Sequence, residues 1–367
     1  MSMPIFQALM LQLNILGKER NQAYPAKNYP TRALFEEKLE ELAKVASLEI
    51  KGQKIASENL TFQDSPVFIG GFFKSGTTLL NSLFDFHPEV VALPPGFRLI
   101  DFIRPKALSL KRNDFFELLA THAVKMLYNP TGKFPMNLLN EGDLEKLEIK
   151  PYVQFLTYLK KFVFQARTQS EILSSVARAL YLVNGQKERG DLPKIWVEKT
   201  VANEKDVKLI KKIFPKAKFI YIERNPLDNL SSISRWYQSS SRKKISNPYL
   251  YFWDLRSSRK RAKRFLNRRD FLSLKYKDLV QSPREELSKI CSFLAIKYDL
   301  SLERPSILGA LNTPNISDQA DSNKRIAGEI ITSRVNNYQT LLTEKQIEDI
   351  KAFFNLPPLK ANLVFIF

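Results

Sequence analysis

Cysteine is almost absent from this 367-residue chain: Cys291, in the apolar run ICSFLAI, stands alone. One thiol excludes an intramolecular disulfide framework and suits a reducing compartment, so Cys291 is read as core filler. Histidine is nearly as scarce. His87, in FHPEV, reads as a structural residue ending a helix, and His122 falls in a helix-like segment with no evident partner. Long apolar runs are missing too, and none approaches the ~20 residues that a membrane span requires. The opening MSMPIFQALMLQLNILGKER lacks a basic segment ahead of its apolar stretch, which Gln and Asn interrupt, so a short helix packed on the core is expected rather than a secretory signal. Acidic residues are in deficit: 38 Asp+Glu against 57 Lys+Arg leave a net charge of +19. That balance favours an anionic partner, whether a phosphorylated cofactor, nucleic acid or an acidic membrane surface, without choosing among them.

What is present reads as an ordinary globular protein, 44% hydrophobic and 26% charged, with no internal repeat and no low-complexity linker. PVFIGGF is a short β-forming run, followed by a Gly/Ser/Thr loop and by TTLLNSLFDFH at helical spacing. After residue 194 the pattern repeats: KIWVEKT as a strand, NEKDVKLIKKIF as an amphipathic helix, AKFIYIE as a buried strand, and NPLDNLSSISRWY as a helix opening on proline. FLSLKY predicts one more strand and PREELSKICSFL one more helix. Alternation of this kind predicts an α/β fold, a parallel sheet flanked by helices, with ligands held beyond the carboxyl ends of the strands. Residues from about 101 to 190 break the alternation with helical segments, as an inserted cap does. The expected division is an N-terminal helical segment, 1–65, packing on the core of a domain that spans 66–367.

Three strand ends carry candidate chemistry. In IGGFFKSGTTLL, consecutive N–H groups from Lys74 to Thr78 at the start of a helix predict a phosphate cradle, to which the hydroxyls of Ser75, Thr77 and Thr78 add donors. The plainer reading is a Ser/Thr-rich helix cap. A nucleotide-hydrolysing loop of the form G-x-x-x-x-G-K-S/T keeps its lysine directly after the second glycine, whereas Thr77 holds that place here and Lys74 lies inside the loop. In YIERNPLDNLSSIS, Arg224 directly follows a buried strand and Ser232 comes eight residues later, so that a guanidinium fork and a hydroxyl can meet one anion. The competing reading pairs Arg224 with Glu198 or Asp228. Tyr276, at the end of FLSLKY, is placed to stack on or border a base, or to pack in the core.

Taken together these stretches resemble the sulfotransferases that use 3′-phosphoadenosine 5′-phosphosulfate (PAPS). KSGTTLL is similar to their 5′-phosphosulfate loop, RNPLDNLSSISRWY to their 3′-phosphate motif of arginine with serine eight later, and YKDLVQSP to their YEDL segment. VEKTVANEKDVKLIKKIFPKAKFIYIERNP follows the pattern of members built on KTP, with Val201 in place of the proline. The resemblance covers roughly residues 66–100 and 194–300 and implies a P-loop-like sulfotransferase fold with a helical cap. It further implies PAPS as sulfonate donor, adenosine 3′,5′-bisphosphate as product and no metal. The donor would be bound by Lys74, Ser75, Gly76, Thr77, Thr78, Arg224, Ser232 and Tyr276. Arg334, in TSRVNNYQTLLTEKQI, is similar to a late basic loop that helps to hold the 3′-phosphate. Lys74 would sit beside the oxygen bridging phosphorus and sulfur, where negative charge develops as the sulfonyl group leaves.

The acceptor's base is harder to place. Members of the tyrosylprotein type carry a glutamate shortly after the HP that follows the first helix, and Pro94 and Pro95 occupy the corresponding positions in FHPEVVALPPGFRLIDF. Asp101 is the nearest acid downstream, expected to act as the base if a partly dry cleft raises its pKa. Residues 242–277 hold 13 Lys+Arg against 2 acids. This stretch reads as a solvated helix face, with cofactor collection, docking on an acidic membrane surface and nucleic acid as the alternatives. The acceptor itself, whether small molecule, glycan, lipid or peptide, is not indicated, and a cytoplasmic location, with peripheral attachment to a membrane as an option, is the expectation. Two other classes remain. One is a Mg²⁺-dependent kinase with Glu223 near the metal; the other is an RNA-binding protein using the basic stretch, against which stands the lack of an aromatic-interleaved RNA motif.

Overall fold

The computed structural model describes residues 65–129, 136–137, 149–238, 248–308, 310–311, 328–340 and 342–355. Strand β1 (Val67–Gly70) leads through the glycine loop into helix α1 (Thr77–Leu83), and β2 (Val90–Ala92) follows. Three long helices come next: α2 (Arg112–Leu127), α3 (Ile149–Gln165) and α4 (Gln169–Tyr181). Alternation then resumes with β3 (Ile195–Lys199), α5 (Val207–Ile213), β4 (Lys218–Glu223) and α6 (Pro226–Gln238). Helix α7 (Pro248–Lys263), β5 (Phe271–Lys275) and α8 (Pro283–Leu294) complete the sheet region, and α9 (Glu344–Asn355) ends the described chain.

The five strands form one parallel sheet in the order β2-β3-β1-β4-β5. The central strands read as continuous apolar runs because both faces are covered, as parallel sheets require. Alternate residues serve different cores. Phe68, Trp196, Phe219 and Tyr221 face the side on which α2, α3 and α4 pack, whereas Val67, Ile69, Val197, Ile220 and Ile222 face α1 and α8. The Phe68 ring lies 5.7 Å from Trp196 and 5.9 Å from both Phe214 and Phe219, an aromatic cluster that anchors the middle of the sheet.

The helical cap stands where the break in alternation predicts it. Its last helix, α4, begins on a capping box, Thr168 accepting from the Glu171 N–H while the Glu171 carboxylate accepts from the Thr168 N–H at 3.2 Å. Strand β2 is an addition to the strands that the sequence predicts. The N-terminal segment expected to pack on the core lies, apart from Ser65, outside the described residues. His87 is structural as expected: fully buried, it meets the Lys297 carbonyl through Nε2 at 2.9 Å and accepts the Glu89 N–H at 3.1 Å, and burial lowers its pKa. Cys291 is core, its thiol pushed up to about 11 by burial.

Candidate active site

The chain leaves β1 toward β2 on one side of the sheet and leaves β4 toward β5 on the other, so the crevice of the fold opens beyond the carboxyl ends of β1 and β4. The glycine loop, residues 71–76, and Arg224 border it. The loop is tightly confined. A Cβ on Gly71, whose φ is +147°, would stand 2.6 Å from the Ile222 carbonyl oxygen, and one on Gly76, φ +99°, would stand 2.4 Å from the Tyr276 ring. Only glycine satisfies both the space and the backbone angle. Lys74 is also left-handed, at φ +65°, a conformation that costs a β-carbon-bearing residue about 1 kcal/mol or more.

The loop turns on a hydrogen bond from Ser75 N–H to the Phe72 carbonyl at 3.0 Å, and the helical ladder of α1 starts with Leu80 N–H to the Gly76 carbonyl at 3.0 Å. The Ser75 N–H is therefore used by the turn itself, and the cradle narrows to the N–H groups of Gly76, Thr77 and Thr78, which precede the ladder. Helix α1 has seven residues, so these local amides rather than a long macrodipole are what an anion would meet. The Ser75 hydroxyl, buried, accepts from Asn229 Nδ2 at 3.1 Å.

Arg224 binds the pieces of the site together. Its Nη1 donates to the Lys74 carbonyl at 3.0 Å, its Nη2 to the Arg334 carbonyl at 2.9 Å, and its guanidinium lies 4.4 Å from the centre of the Tyr276 ring. It is 6% exposed, pairs with no carboxylate among the described residues, and its Nε is buried without an acceptor. The competing pairing is absent: Asp228 accepts the N–H groups of Asn336 and Tyr338, at 3.0 and 3.4 Å, and Glu198 is engaged elsewhere. Asp228 thereby fastens the segment carrying Arg334, itself buried, against α6. Lys74, Gly76, Arg224, Tyr276 and Arg334 are thus brought together. Ser232 is buried on α6 and makes no hydrogen bond to Arg224.

The end of β3 adds residues that the sequence reading did not select. Lys199 pairs in register with Ile69, two residues before Gly71, and burial lowers its pKa to about 8. Glu198, on the opposite face, is fully buried with its pKa raised by that burial. It accepts from Thr200, from Asn203 at 2.9 Å and from the Leu99 N–H at 3.3 Å. Glu204, Asn229, Tyr251 and Ser258 form a second set, bonded to the loop from beneath.

Asp101 departs from expectation. Arg98 grips its carboxylate in a bidentate pair, 2.8 Å from Nε and 3.2 Å from Nη2, and this holds its pKa below the usual range. The side chain is 41% exposed, so the dry cleft that was to raise the pKa is not there. His122 does have a partner, the Phe97 carbonyl, with the rings of Phe97 and Phe102 edge-on at 5.1 Å. Glu223, the residue a kinase would place near a metal, is ion-paired with Arg259 of α7. The basic stretch is only partly a solvated face, since its helix buries Phe252, Leu255, Ser258 and Ala262.

Curated protein sequences give no match to the chain. Among solved structures, it is similar to the sulfotransferase domain of the olefin synthase of Synechococcus PCC 7002, at 19% identity over 83% of this chain and 100% of that one, with a TM-score of 0.47. A sulfotransferase from Mycobacterium avium matches at 15% identity over 95% and 94% of the two chains, TM-score 0.40. A mouse sulfotransferase complexed with PAP matches at 15% identity over 79% and 82%, TM-score 0.39. These likenesses are too distant to place any residue. The decisive match is to a model described as the sulfotransferase family, which takes in residues 66–299, well over half of the chain and every strand of the sheet. With a parallel sheet in hand and the glycine loop and Arg224 facing one crevice, the chain belongs to the sulfotransferase family.

Proposed function

We propose that this protein transfers the sulfonate group of PAPS to a hydroxyl or amine of an acceptor, with the donor lying across the crevice between β1 and β4. The observation that carries the reading is Arg224: a buried guanidinium with no carboxylate partner among the described residues and an orphaned Nε at the crevice. Such a group is suited to a dianion that arrives with the ligand. PAPS would supply the sulfonate: the bond between sulfur and the oxygen bridging to the 5′-phosphate breaks as the acceptor atom bonds to sulfur, adenosine 3′,5′-bisphosphate leaves with that oxygen, and the acceptor's proton passes to solvent. The N–H groups of Gly76, Thr77 and Thr78, with the hydroxyls of Ser75, Thr77 and Thr78, hold the 5′-phosphate. Arg224, Ser232 and Arg334 take the 3′-phosphate, and the Tyr276 ring borders the nucleoside. Lys74 places its ammonium where charge grows on the departing oxygen, and the buried Lys199 adds positive charge at the neighbouring strand end. Asp101, ion-paired and held low, is a weak base, so positioning rather than strong proton abstraction dominates.

The test is calorimetry with adenosine 3′,5′-bisphosphate and adenosine 5′-phosphate in parallel. Arg224→Ala should cost the bisphosphate on the order of 2 to 5 kcal/mol by stranding its second dianion, and Ser232→Ala about 1 to 2 kcal/mol. The monophosphate should bind the wild type weakly and lose less on either change. Equal loss for both ligands would make Arg224 a structural strut and remove the reading's main support.

A further inference from the structure

Helix α7 turns its exposed cations outward, while its inner face is bonded to the glycine loop at two places. Tyr251 and Ser258 stand seven residues apart, two helical turns, on the stripe that also buries Leu255 and Ala262. At the entry to the loop, Ser258 Oγ donates to Glu204 Oε1 at 2.6 Å and Glu204 Oε2 accepts the Gly71 N–H at 3.2 Å. The Tyr221 hydroxyl lies 3.1 Å from Ser258 Oγ and completes that relay. At the loop's apex, the Tyr251 hydroxyl donates to Asn229 Oδ1, while Asn229 Nδ2 donates to the Phe73 carbonyl at 2.9 Å and to Ser75 Oγ at 3.1 Å. The Tyr251 ring also meets Phe72 edge-on at 5.0 Å.

These relays are costly ways to fill space. Glu204 is 2% exposed, and burying a carboxyl group costs several kcal/mol unless its partners compensate. Burial accordingly raises its pKa, against the opposing effects of the Ser258 and Gly71 hydrogen bonds and the nearby charge of Arg261. An apolar side chain would pack the same volume without that cost. What an apolar side chain cannot do is fix the Gly71 N–H, at the point where the chain leaves β1 in a glycine-only conformation.

We propose that the inner face of α7 is a clamp that holds the donor loop in its binding conformation, with Tyr251 and Ser258 as positioning residues acting through Asn229 and Glu204. The proposal rests on reading that loop as the PAPS site. The full-length chain and its variants are titrated with adenosine 3′,5′-bisphosphate, and amide hydrogen exchange is followed across residues 71–78. Tyr251→Phe, which removes the bond to Asn229, and Ser258→Ala, which removes those to Glu204 and Tyr221, should each weaken the bisphosphate about fivefold or more. Glu204→Ala should weaken it by roughly tenfold or more, because the Gly71 N–H then loses its acceptor. Glu204→Gln should restore most of the loss: its amide oxygen still accepts from Gly71, and its amide nitrogen donates to Ser258 Oγ, which turns to donate to Tyr221. Exchange of the loop amides should quicken in the weakened variants and slow again in Glu204→Gln. Wild-type affinity in Tyr251→Phe and Ser258→Ala, or a glutamine variant as weak as the alanine one, would overturn the clamp. Bisphosphate binding absent from the wild type itself would overturn the donor reading, and the clamp with it.

Discussion

Lys74 differs from its neighbours in what its loss should do. Its carbonyl, turned by the left-handed backbone, is held by Arg224, whereas its ammonium, near the Phe73 ring, is the group that the proposed function assigns to the departing oxygen. Lys74→Ala should lower the rate at which adenosine 3′,5′-bisphosphate is released from PAPS by roughly 10²-fold, with a much smaller change in bisphosphate affinity, as befits an interaction made mainly in the transition state. Unchanged turnover with weakened binding would move Lys74 among the simple anchors. Single-turnover kinetics beside calorimetry separates the two. Residues of this kind were readable because twelve contiguous positions, 69–80, carry the loop, and because Arg224 follows its strand immediately. Glu204, Asn229 and Ser258 were not, since each acts through a bond to a residue 54 or more positions away. The low pKa of Asp101 has a local cause: Arg98, three residues earlier and within reach on one turn, pairs with its carboxylate and is itself legible in the sequence.

At the level of elements, apolar runs gave away β1, β3, β4 and β5, whose residues are buried wherever the sheet's faces are covered. Strand β2 escaped notice because three residues between acidic and proline-rich neighbours carry no periodicity. Helix α7 was seen as charge rather than as a packing element. Its inward stripe of Phe252, Leu255, Ser258 and Ala262 is interrupted by so many cations that net charge masks the spacing. The end of β3 yields a pH prediction. Burial lowers the Lys199 pKa to about 8 from the ordinary 10.5, so between those values the unfolded chain binds the extra proton and stability rises with pH. Below pH 8 the folded state carries the full cost of the buried ammonium, about 3 kcal/mol at 1.36 kcal/mol per pKa unit. Lys199→Met should therefore be more stable than the wild type by about that amount at pH 7, with the gap closing toward pH 10.5. Denaturant unfolding at a series of pH values reads this directly, and a gap that did not change with pH would contradict the buried charge.

For the molecule as a whole, a net charge of +19 favours an anionic partner, which the proposed function seats in the crevice beyond β1 and β4. Some of the basic residues pair with acids, Arg259 with Glu223, and Arg268 and Lys211 with Asp270. Among the described residues no helix is long and apolar enough to cross a membrane. The proposed function assigns the loop, whose lysine lies inside it, and Arg224 at the next strand end to a ligand with two separated phosphates that binds without Mg²⁺. Titrating the wild-type protein in parallel with adenosine 3′,5′-bisphosphate, adenosine 5′-phosphate and Mg-ATP tests that assignment most directly. The account predicts that the bisphosphate binds at least roughly tenfold more tightly than either of the others, in keeping with a charge-assisted pair worth ~1.5 kcal/mol or more at the 3′ position, and that added Mg²⁺ brings no gain. Tighter binding of Mg-ATP, or equal binding of the bisphosphate and the monophosphate, would contradict it.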